Sequence, residues 1–148
     1  MIARASDHAG YARKKELEEH LRSKGYETKD FGTYSEESCD YAVYGSRAAR
    51  SVAKGECEKA VLVCGTGIGM SLAANKVRGI RCVVCSEPFS AKLSRNHNDS
   101  NVLALGSRVV GSELAKMILD IWLESEFEGG RHQRRIDLVA DIENGKEL

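Results

Sequence analysis

The sequence predicts a doubly wound α/β fold, in which helices cover both faces of a parallel β-sheet. Short apolar runs that favour strands alternate with longer segments of helical periodicity, an order typical of parallel βαβ units. The chain has 148 residues, of which 42% are hydrophobic, so it can bury a sizeable core. No internal repeat, low-complexity tract or long linker divides it. We therefore expect a single domain over residues 1–148.

The predicted sheet has five strands, each from a short β-like run. These runs are MIARA (1–5), YETKDF (26–31), KAVLVC (59–64), IRCVVC (80–85) and NVLAL (101–105). Arg4 is unusual, because a strand in a parallel sheet is normally buried on both faces. We therefore expect the first strand to be shorter than its run or exposed at one edge of the sheet.

Helical patterns occupy the intervals between these strands. They cover 11–24, 41–54, 68–76, 87–95 and 111–123, and a last helix is predicted at about 131–143. Strands and helices in this order build an αβα sandwich, here with a C-terminal helix, and ligands bind beyond the carboxyl ends of the strands. The loops that follow the strands are therefore the first places to look for a site.

The charge balance and the cysteines limit the possible partners and the compartment. Lys and Arg number 22, as do Asp and Glu, so no global basic field attracts nucleic acid or an anionic membrane. Asp7 falls where a signal peptide would need apolar residues, and no apolar run approaches the length of a membrane span. The five cysteines are an odd set, which favours reduced thiols. We expect a cytoplasmic protein that binds neither nucleic acid nor membrane.

Cys82 and Cys85 form a C-x-x-C pattern, which raises the alternative of a thiol oxidoreductase or a zinc site. Both residues lie in a predicted strand, where side chains three positions apart point to opposite faces. This geometry argues against a joint role for the two thiols.

The loop after the third strand carries Cys64 and three glycines, in the order Cys-Gly-Thr-Gly-Ile-Gly. Such glycines can aim successive backbone N–H groups at an anion ahead of a helix N-terminus. The spacing does not match a dinucleotide fingerprint and lacks a Walker lysine, and a plain tight turn remains an alternative. Cys64 precedes a helix N-terminus, a position that favours a thiolate usable as a base or nucleophile. The alternative is a small buried apolar residue.

Two histidines and two arginines are further candidates. His8 follows the first strand, and His97 falls in an asparagine-rich stretch that we interpret as a loop before the fifth strand. Arg131 and Arg135 are four residues apart, hence on one helix face, and this spacing suits a phosphate clamp. Structural histidines and a solvated basic face remain the alternatives.

Five collinear motifs together resemble the ribose-5-phosphate isomerase B family, which includes allose- and galactose-6-phosphate isomerases. They are SDHAGY, DFGTYSEESCDY, VCGTGIGMSLAANKVRGIR, LSRNHNDSNVLALGSRVVG and FEGGRHQRRI, and they span nearly the whole chain. The resemblance implies a Rossmann-like five-stranded parallel sheet and homodimers with active sites at the subunit interface; it leaves open whether dimers pair into tetramers. It implies neither a metal nor an organic cofactor.

The resemblance also implies roles for individual residues. Cys64 is the base that moves a proton between C2 and C1 of the open-chain sugar phosphate, and His97 opens the ring. The loop from Gly65 to Gly69 holds the developing oxyanion, with Thr66 as a hydroxyl donor. The remaining substrate positions, as the resemblance implies them, are Asp7, Asn98 and Tyr41 for the sugar, Gly65, Gly67 and Gly69 in the loop, His8, Arg131 and Arg135 for the phosphate, and Arg108 from the partner subunit.

The sequence departs from the family pattern at two positions, one before the second helix and one in the first strand. Ala42 stands where the family usually carries proline, and Arg4 lies in a strand that is normally more apolar. The resemblance as a whole leads us to expect ribose 5-phosphate and ribulose 5-phosphate as substrates, with a six-carbon sugar phosphate isomerase as the alternative. The alternative outside the enzymes is a non-catalytic sugar-phosphate-binding module, which needs only the glycines and the basic cluster at residues 131–135.

Overall fold

The core of the structure is one five-stranded sheet in which every pair of neighbouring strands is parallel. The computed structural model describes residues 1–148. The strands are β1 (Ile2–Ser6), β2 (Thr28–Asp30), β3 (Lys59–Cys64), β4 (Cys82–Val84) and β5 (Val102–Gly106). The helices are α1 (Tyr11–Ser23), α2 (Tyr41–Ala53), α3 (Ile68–Asn75), α4 (Pro88–Asn98), α5 (Ser112–Glu124) and α6 (Arg131–Glu143). The prediction of a doubly wound α/β fold is confirmed.

The strand order is β2-β1-β3-β5-β4, so the chain leaves β1 in one direction and crosses to the other side of the sheet at β3. Ser6 at the end of β1 pairs with Val63, and Cys64 pairs with Gly106 at the end of β5. The loops after β1, β3 and β5 consequently start side by side at the carboxyl edge of the sheet. This change of direction is where ligands bind in doubly wound folds.

Two apolar clusters, one on each face of the sheet, hold the layers together. On one face, α1, α4 and α5 pack against strand residues such as Val61 and Leu103. On the other face, α2 and α3 pack against small side chains, including Ala3, Ala60 and Ala104. Small residues on this face allow the two helices to approach the sheet closely.

Cys82 and Cys85 lie on opposite faces of the sheet, as predicted, because they belong to different clusters. Both thiols are free. Burial raises the pKa of Cys85 to about 11, with a further contribution from Glu87. Burial also raises the pKa of Cys82, and Cys85 adds to that shift. The structure therefore gives no support to a dithiol redox or zinc site.

The expectation for Arg4 was wrong, since β1 runs its full length and Arg4 is only 2% exposed. Its Nη1 atom lies 3.0 Å from Glu18 Oε2 on α1 and 3.5 Å from Asp30 Oδ2 on β2. The buried Lys14 ammonium lies 2.7 Å from Asp30 Oδ1 and donates to the Thr33 carbonyl oxygen. Paired charges thus explain how a cation is accommodated inside a parallel sheet.

None of the six helices is both long and apolar enough to cross a lipid bilayer.

Candidate active site

Cys64 ends β3 at the carboxyl edge of the sheet and is only 4% exposed. Its carbonyl oxygen accepts a hydrogen bond from Ser107 at 2.8 Å, which ties the loop after β3 to the loop after β5. Its Sγ atom accepts from the backbone N–H of Gly67 at 3.1 Å. The sulfur therefore lies at the start of α3, where a backbone N–H donates to it.

The glycine loop after Cys64 leads directly into α3. Gly67 is the N-cap residue of this helix and has φ 81°, a left-handed conformation that favours glycine. The amide of Ile68 donates to Thr66 Oγ1 at 3.2 Å, whereas the amides of Gly69 and Met70 have no hydrogen-bond acceptor within the protein. Two unpaired N–H groups and the positive end of the helix dipole therefore lie next to the thiol, and they can stabilise an oxyanion.

The loop after β1 places Asp7 and His8 at the same edge. Asp7 is 7% exposed, and its carboxylate accepts from the Gly10 amide at 3.0 Å and so shapes the turn into α1. The Cys39 amide donates to His8 Nδ1 at 3.2 Å. Because Nδ1 is the acceptor, Nε2 carries the proton and can donate to a substrate oxygen.

Tyr41 and Arg108 complete this group on two sides of the glycine loop. A Cβ on Gly69 would lie 2.8 Å from the Tyr41 ring, so glycine is required for the ring to pack there. A Cβ on Gly65 would lie 3.2 Å from Arg108 Nη1 of the same chain. Arg108 therefore lies beside its own Cys64 loop, which differs from the expectation that the partner subunit supplies it. The physical reason is topology, since Arg108 follows β5 at the carboxyl edge.

His97 and Asn98 lie in the last turn of α4, which extends three residues beyond its predicted end, so the interpretation of this stretch as a loop was wrong. The helix starts after β4 and runs back across the sheet to the start of β5. The residue after the helix, Asp99, caps it with a left-handed φ of 46°. His97 is therefore at the amino edge of the sheet, about 15 Å from Cys64 by the length of a five-residue strand.

Arg131, His132 and Arg135 begin α6 beside His97. The His97 and His132 rings stack with their centroids 4.1 Å apart and an interplanar angle of 11°. Burial lowers the pKa of His132, and the neighbouring His97 and Arg131 lower it further. Arg131 and Arg135 are exposed and have no carboxylate within ion-pair distance, which leaves both free to bind an anion.

The candidate residues thus form two separate groups on one chain. The carboxyl-edge half-site consists of Asp7, His8, Tyr41, Cys64, Gly65, Thr66, Gly67, Gly69 and Arg108. The amino-edge half-site consists of His97, Asn98, Arg131 and Arg135. A small ligand cannot touch both groups of the same chain.

Sequence reasoning assigned no role to His132, Glu128 or Cys39. His132 stacks on His97, Cys39 donates to His8, and Glu128 lies beside His132. The His132 Nε2 atom lies 3.6 Å from Glu128 Oε2, and the ligand atoms of His97, Glu128 and His132 all lie within 4.8 Å of one another. His132 directly follows Arg131 in the sequence, so its place next to a predicted phosphate ligand could have been noticed. Nothing in the local sequence links Cys39 to His8, since 31 residues separate them.

The fold and the carboxyl-edge half-site define a class of enzyme: a doubly wound α/β protein with a thiol and unpaired amides at the start of a helix. The family model described as "Ribose/Galactose Isomerase" matches residues 2–139. The chain belongs to this isomerase family.

Individual relatives agree with the family assignment. The chain is 57% identical over 142 residues to "Ribose-5-phosphate isomerase B" of Escherichia coli strain K12, covering 96% of this chain and 95% of that protein. A solved ribose-5-phosphate isomerase B from Clostridium thermocellum has a TM-score of 0.96 and 50% identity, with 97% of each chain covered. The Mycoplasma genitalium enzyme, solved with bound ribulose-5-phosphate, has a TM-score of 0.93 and 39% identity, with 98% of this chain and 97% of that chain covered.

Proposed function

We propose that this chain is an aldose-ketose isomerase that interconverts ribose 5-phosphate and ribulose 5-phosphate. The observation that carries the proposal is the buried Cys64 thiol, which accepts the Gly67 amide at 3.1 Å beside the unpaired amides of Gly69 and Met70. A base next to preorganised donors is what proton abstraction beside a carbonyl requires. The 57% identity to the Escherichia coli ribose-5-phosphate isomerase B supports this choice of substrate.

Cys64 acts as the base in the proposed reaction. Its thiolate removes the proton from C2 of the open-chain aldose, the electron pair forms the C1–C2 double bond, and negative charge gathers on O1. The amides of Gly69 and Met70 and the Thr66 hydroxyl stabilise this enediolate. Return of the proton to C1, with transfer of the O2 hydroxyl proton to O1, gives the ketose. The thiolate is regenerated, so the reaction needs no external oxidant or reductant.

A second copy of the chain completes each site in this proposal. The amino-edge half-site of one protomer faces the carboxyl-edge half-site of the other, so that His97 opens the ring and Asn98 contacts the sugar. A two-fold dimer then contains two identical composite sites. Exposed apolar side chains near the carboxyl edge, Ile68 (55%), Leu72 (59%), Phe89 (70%) and Val109 (58%), favour such an interface.

The phosphate group is held from both sides of the composite site. Arg131 and Arg135 approach from one protomer, and the forked guanidinium group is suited to binding phosphate oxygens. His8 donates through Nε2 from the other protomer, where Arg108 also lies. The reduced cysteines fit a cytoplasmic enzyme, which we include in the proposal.

Initial rates with three substrates test the proposal. Ribose 5-phosphate should be turned over with a higher kcat/KM than allose 6-phosphate and galactose 6-phosphate at equal enzyme concentration. A higher kcat/KM with either six-carbon sugar phosphate would show that this sugar, and not the pentose, is the preferred substrate of the same isomerisation. Failure to turn over any of the three by a dimeric, correctly folded sample would contradict the proposal as a whole.

A further inference from the structure

His97, Glu128 and His132 form a compact cluster of groups that can coordinate a metal ion. Their ligand atoms all lie within 4.8 Å of one another. The cluster contains two imidazoles and one carboxylate, which is a common protein ligand set for zinc with a further position left open. His132 is 8% exposed, whereas the Glu128 side chain is 57% exposed. Solvent can therefore reach the cluster from the carboxylate side.

Hydrogen bonds fix the three segments that carry these groups. The Glu128 amide donates to the Asn96 carbonyl oxygen at 3.0 Å, and the Asn96 side chain donates to the Glu126 carbonyl oxygen at 2.7 Å. The His132 amide donates to the Gly129 carbonyl oxygen at 3.0 Å. The end of α4, the segment between α5 and α6, and the start of α6 are thus held together by these bonds, so the backbone that carries the three ligands is already ordered.

Coordination requires one local movement. The two rings lie nearly parallel, at 11°, so their in-plane lone pairs point alongside each other rather than to one point. A zinc ion about 2.0–2.1 Å from each nitrogen needs converging lone pairs. His97 lies half-buried in the last turn of α4, and rotation of its ring about the Cβ–Cγ bond is the movement that coordination requires. Metal binding should therefore break the ring stack.

The ligand types predict which ions bind. Imidazole suits Zn²⁺, Co²⁺, Ni²⁺ and Cu²⁺, whereas Mg²⁺ and Ca²⁺ need several oxygen ligands and find a single carboxylate here. Arg131 and Arg135, close to His132, oppose the approach of a dication. Their repulsion limits the affinity, and salt should reduce that repulsion.

We propose that His97, Glu128 and His132 form an inhibitory site for a zinc-class transition-metal dication. A metal bound through the His97 lone pair prevents that imidazole from moving the proton that opens the sugar ring. The inhibition, unlike the binding, rests on the proposed isomerase function and on the role of His97 in it. The site is independent of the thiols, because none of its three ligands is a cysteine.

Binding is tested on the full-length protein with Co²⁺ as a spectroscopic probe and Zn²⁺ in calorimetry. We expect d–d absorption from bound Co²⁺ and heat from Zn²⁺ but not from Mg²⁺. Glu128→Gln should weaken binding by at least about tenfold, since loss of even an outer partner of a metal site commonly costs 10- to 100-fold. Glu128 is exposed and outside the catalytic machinery, so the basal turnover of this variant should be unchanged.

His20→Asn is the matched control. His20 is also a histidine paired with a carboxylate, 2.7 Å from Asp120, but it lies half-buried between α1 and α5. This variant should bind Co²⁺ and Zn²⁺ like the parent. An intense sulfur-to-metal charge-transfer band would show that a thiol binds the metal and would overturn the proposal, as would equal Zn²⁺ affinity in Glu128→Gln and the parent.

Inhibition is measured separately with ribose 5-phosphate. Zn²⁺ should inhibit the parent at concentrations that saturate the site, and Glu128→Gln should need at least about tenfold more Zn²⁺ for the same inhibition. Equal inhibition of both proteins would overturn the inhibitory role. The protein could also bind Co²⁺ in a way that depends on Glu128 and yet turn over no sugar phosphate. That result would support the metal site and refute only the proposed function.

Discussion

Mixing two inactive variants tests the separation of the two half-sites directly. Cys64→Ala disables the carboxyl-edge half-site, and His97→Ala disables the amino-edge half-site, about 15 Å away on the same chain. If each active site takes one half from each protomer, a mixed dimer contains one site with both substitutions and one site with neither. Two inactive proteins should then yield an active mixture.

The size of the recovery follows from counting sites. Equal amounts of the two variants, after full exchange of subunits, give about one half mixed dimers. Each mixed dimer has one intact site out of two, so the mixture should recover about one quarter of the parental activity per chain. The two homodimers contribute only their residual rates, which are measured separately.

The assay is the initial rate with ribose 5-phosphate before and after subunit exchange, which mild denaturant and dialysis can promote. Cys64→Ala mixed with Arg108→Ala is the matched control. Arg108 lies beside Gly65 of its own chain, so both substitutions affect the same half-site. This mixture should show no more than the mean activity of its two components.

Two results would refute the reasoning. Absence of recovery in the Cys64→Ala and His97→Ala mixture, despite exchange demonstrated by mass spectrometry of tagged subunits, would mean that one protomer contains the whole site. Recovery of about one quarter of the parental activity in the Arg108 mixture would mean that Arg108 acts in the active site of the partner subunit.

Four other outcomes are expected. Cys64→Ser should lose about 10²- to 10⁴-fold in kcat, because its hydroxyl is too weakly acidic to serve as the resting base, while the Kd of a competitive sugar-phosphate inhibitor stays within a few-fold; a kcat within about tenfold of the parent would refute the base assignment. Arg131→Ala and Arg135→Ala should each lose roughly 1.5–3 kcal/mol of binding, about one to two decades in kcat/KM, and unchanged values would make this a solvated basic face. His97→Ala should slow ribose 5-phosphate turnover more than proton exchange at C1 of ribulose 5-phosphate, which cannot form a furanose ring; equal losses would contradict the ring-opening role. Burial raises the pKa of Cys85 to about 11, so at pH 8 only about one in 1,000 of these thiols is ionised, and mass spectrometry should find it unlabelled by iodoacetamide in the folded enzyme; rapid labelling would contradict the buried position.

The strands and helices were predictable because their signals are local. The run KAVLVC has five consecutive apolar residues after Lys59, and β3 occupies the same residues, Lys59–Cys64. Gly67, in its left-handed conformation, marks the start of α3 as a glycine turn should. Periodicity and turn chemistry act over a few residues, so one sequence is sufficient to locate these elements.

The burial of Arg4 could not be predicted in the same way. Its partners Glu18 and Asp30 are 14 and 26 positions further along the chain, and only the packing of α1 and β2 brings them together. The strand run itself contains no sign of that compensation. A charged residue in a strand therefore indicates an exposed edge until the tertiary partners are known.

The sequence named the candidate residues of the site but did not show how they are arranged. The segment around His97 is rich in polar residues, and it looked like a loop although α4 continues through Asn98. The direction of that helix decides which edge of the sheet His97 occupies, and the alternation of strands and helices already contained this information. Stacking of His97 on His132 depends on how α6 docks against α4, which no local pattern specifies.

The buried charges around Arg4 constrain how this sequence can diverge over evolutionary time. Replacement of Asp30 alone would leave Lys14 without a paired carboxylate and Arg4 with Glu18 alone. Breaking a buried ion pair commonly costs about 3–5 kcal/mol, a large share of the stability of a typical domain. Single substitutions at these positions are therefore selected against, whereas paired substitutions that keep the charges balanced are tolerated. Homologous sequences should consequently show correlated substitutions at positions far apart in the chain, which record an interaction that no single sequence reveals.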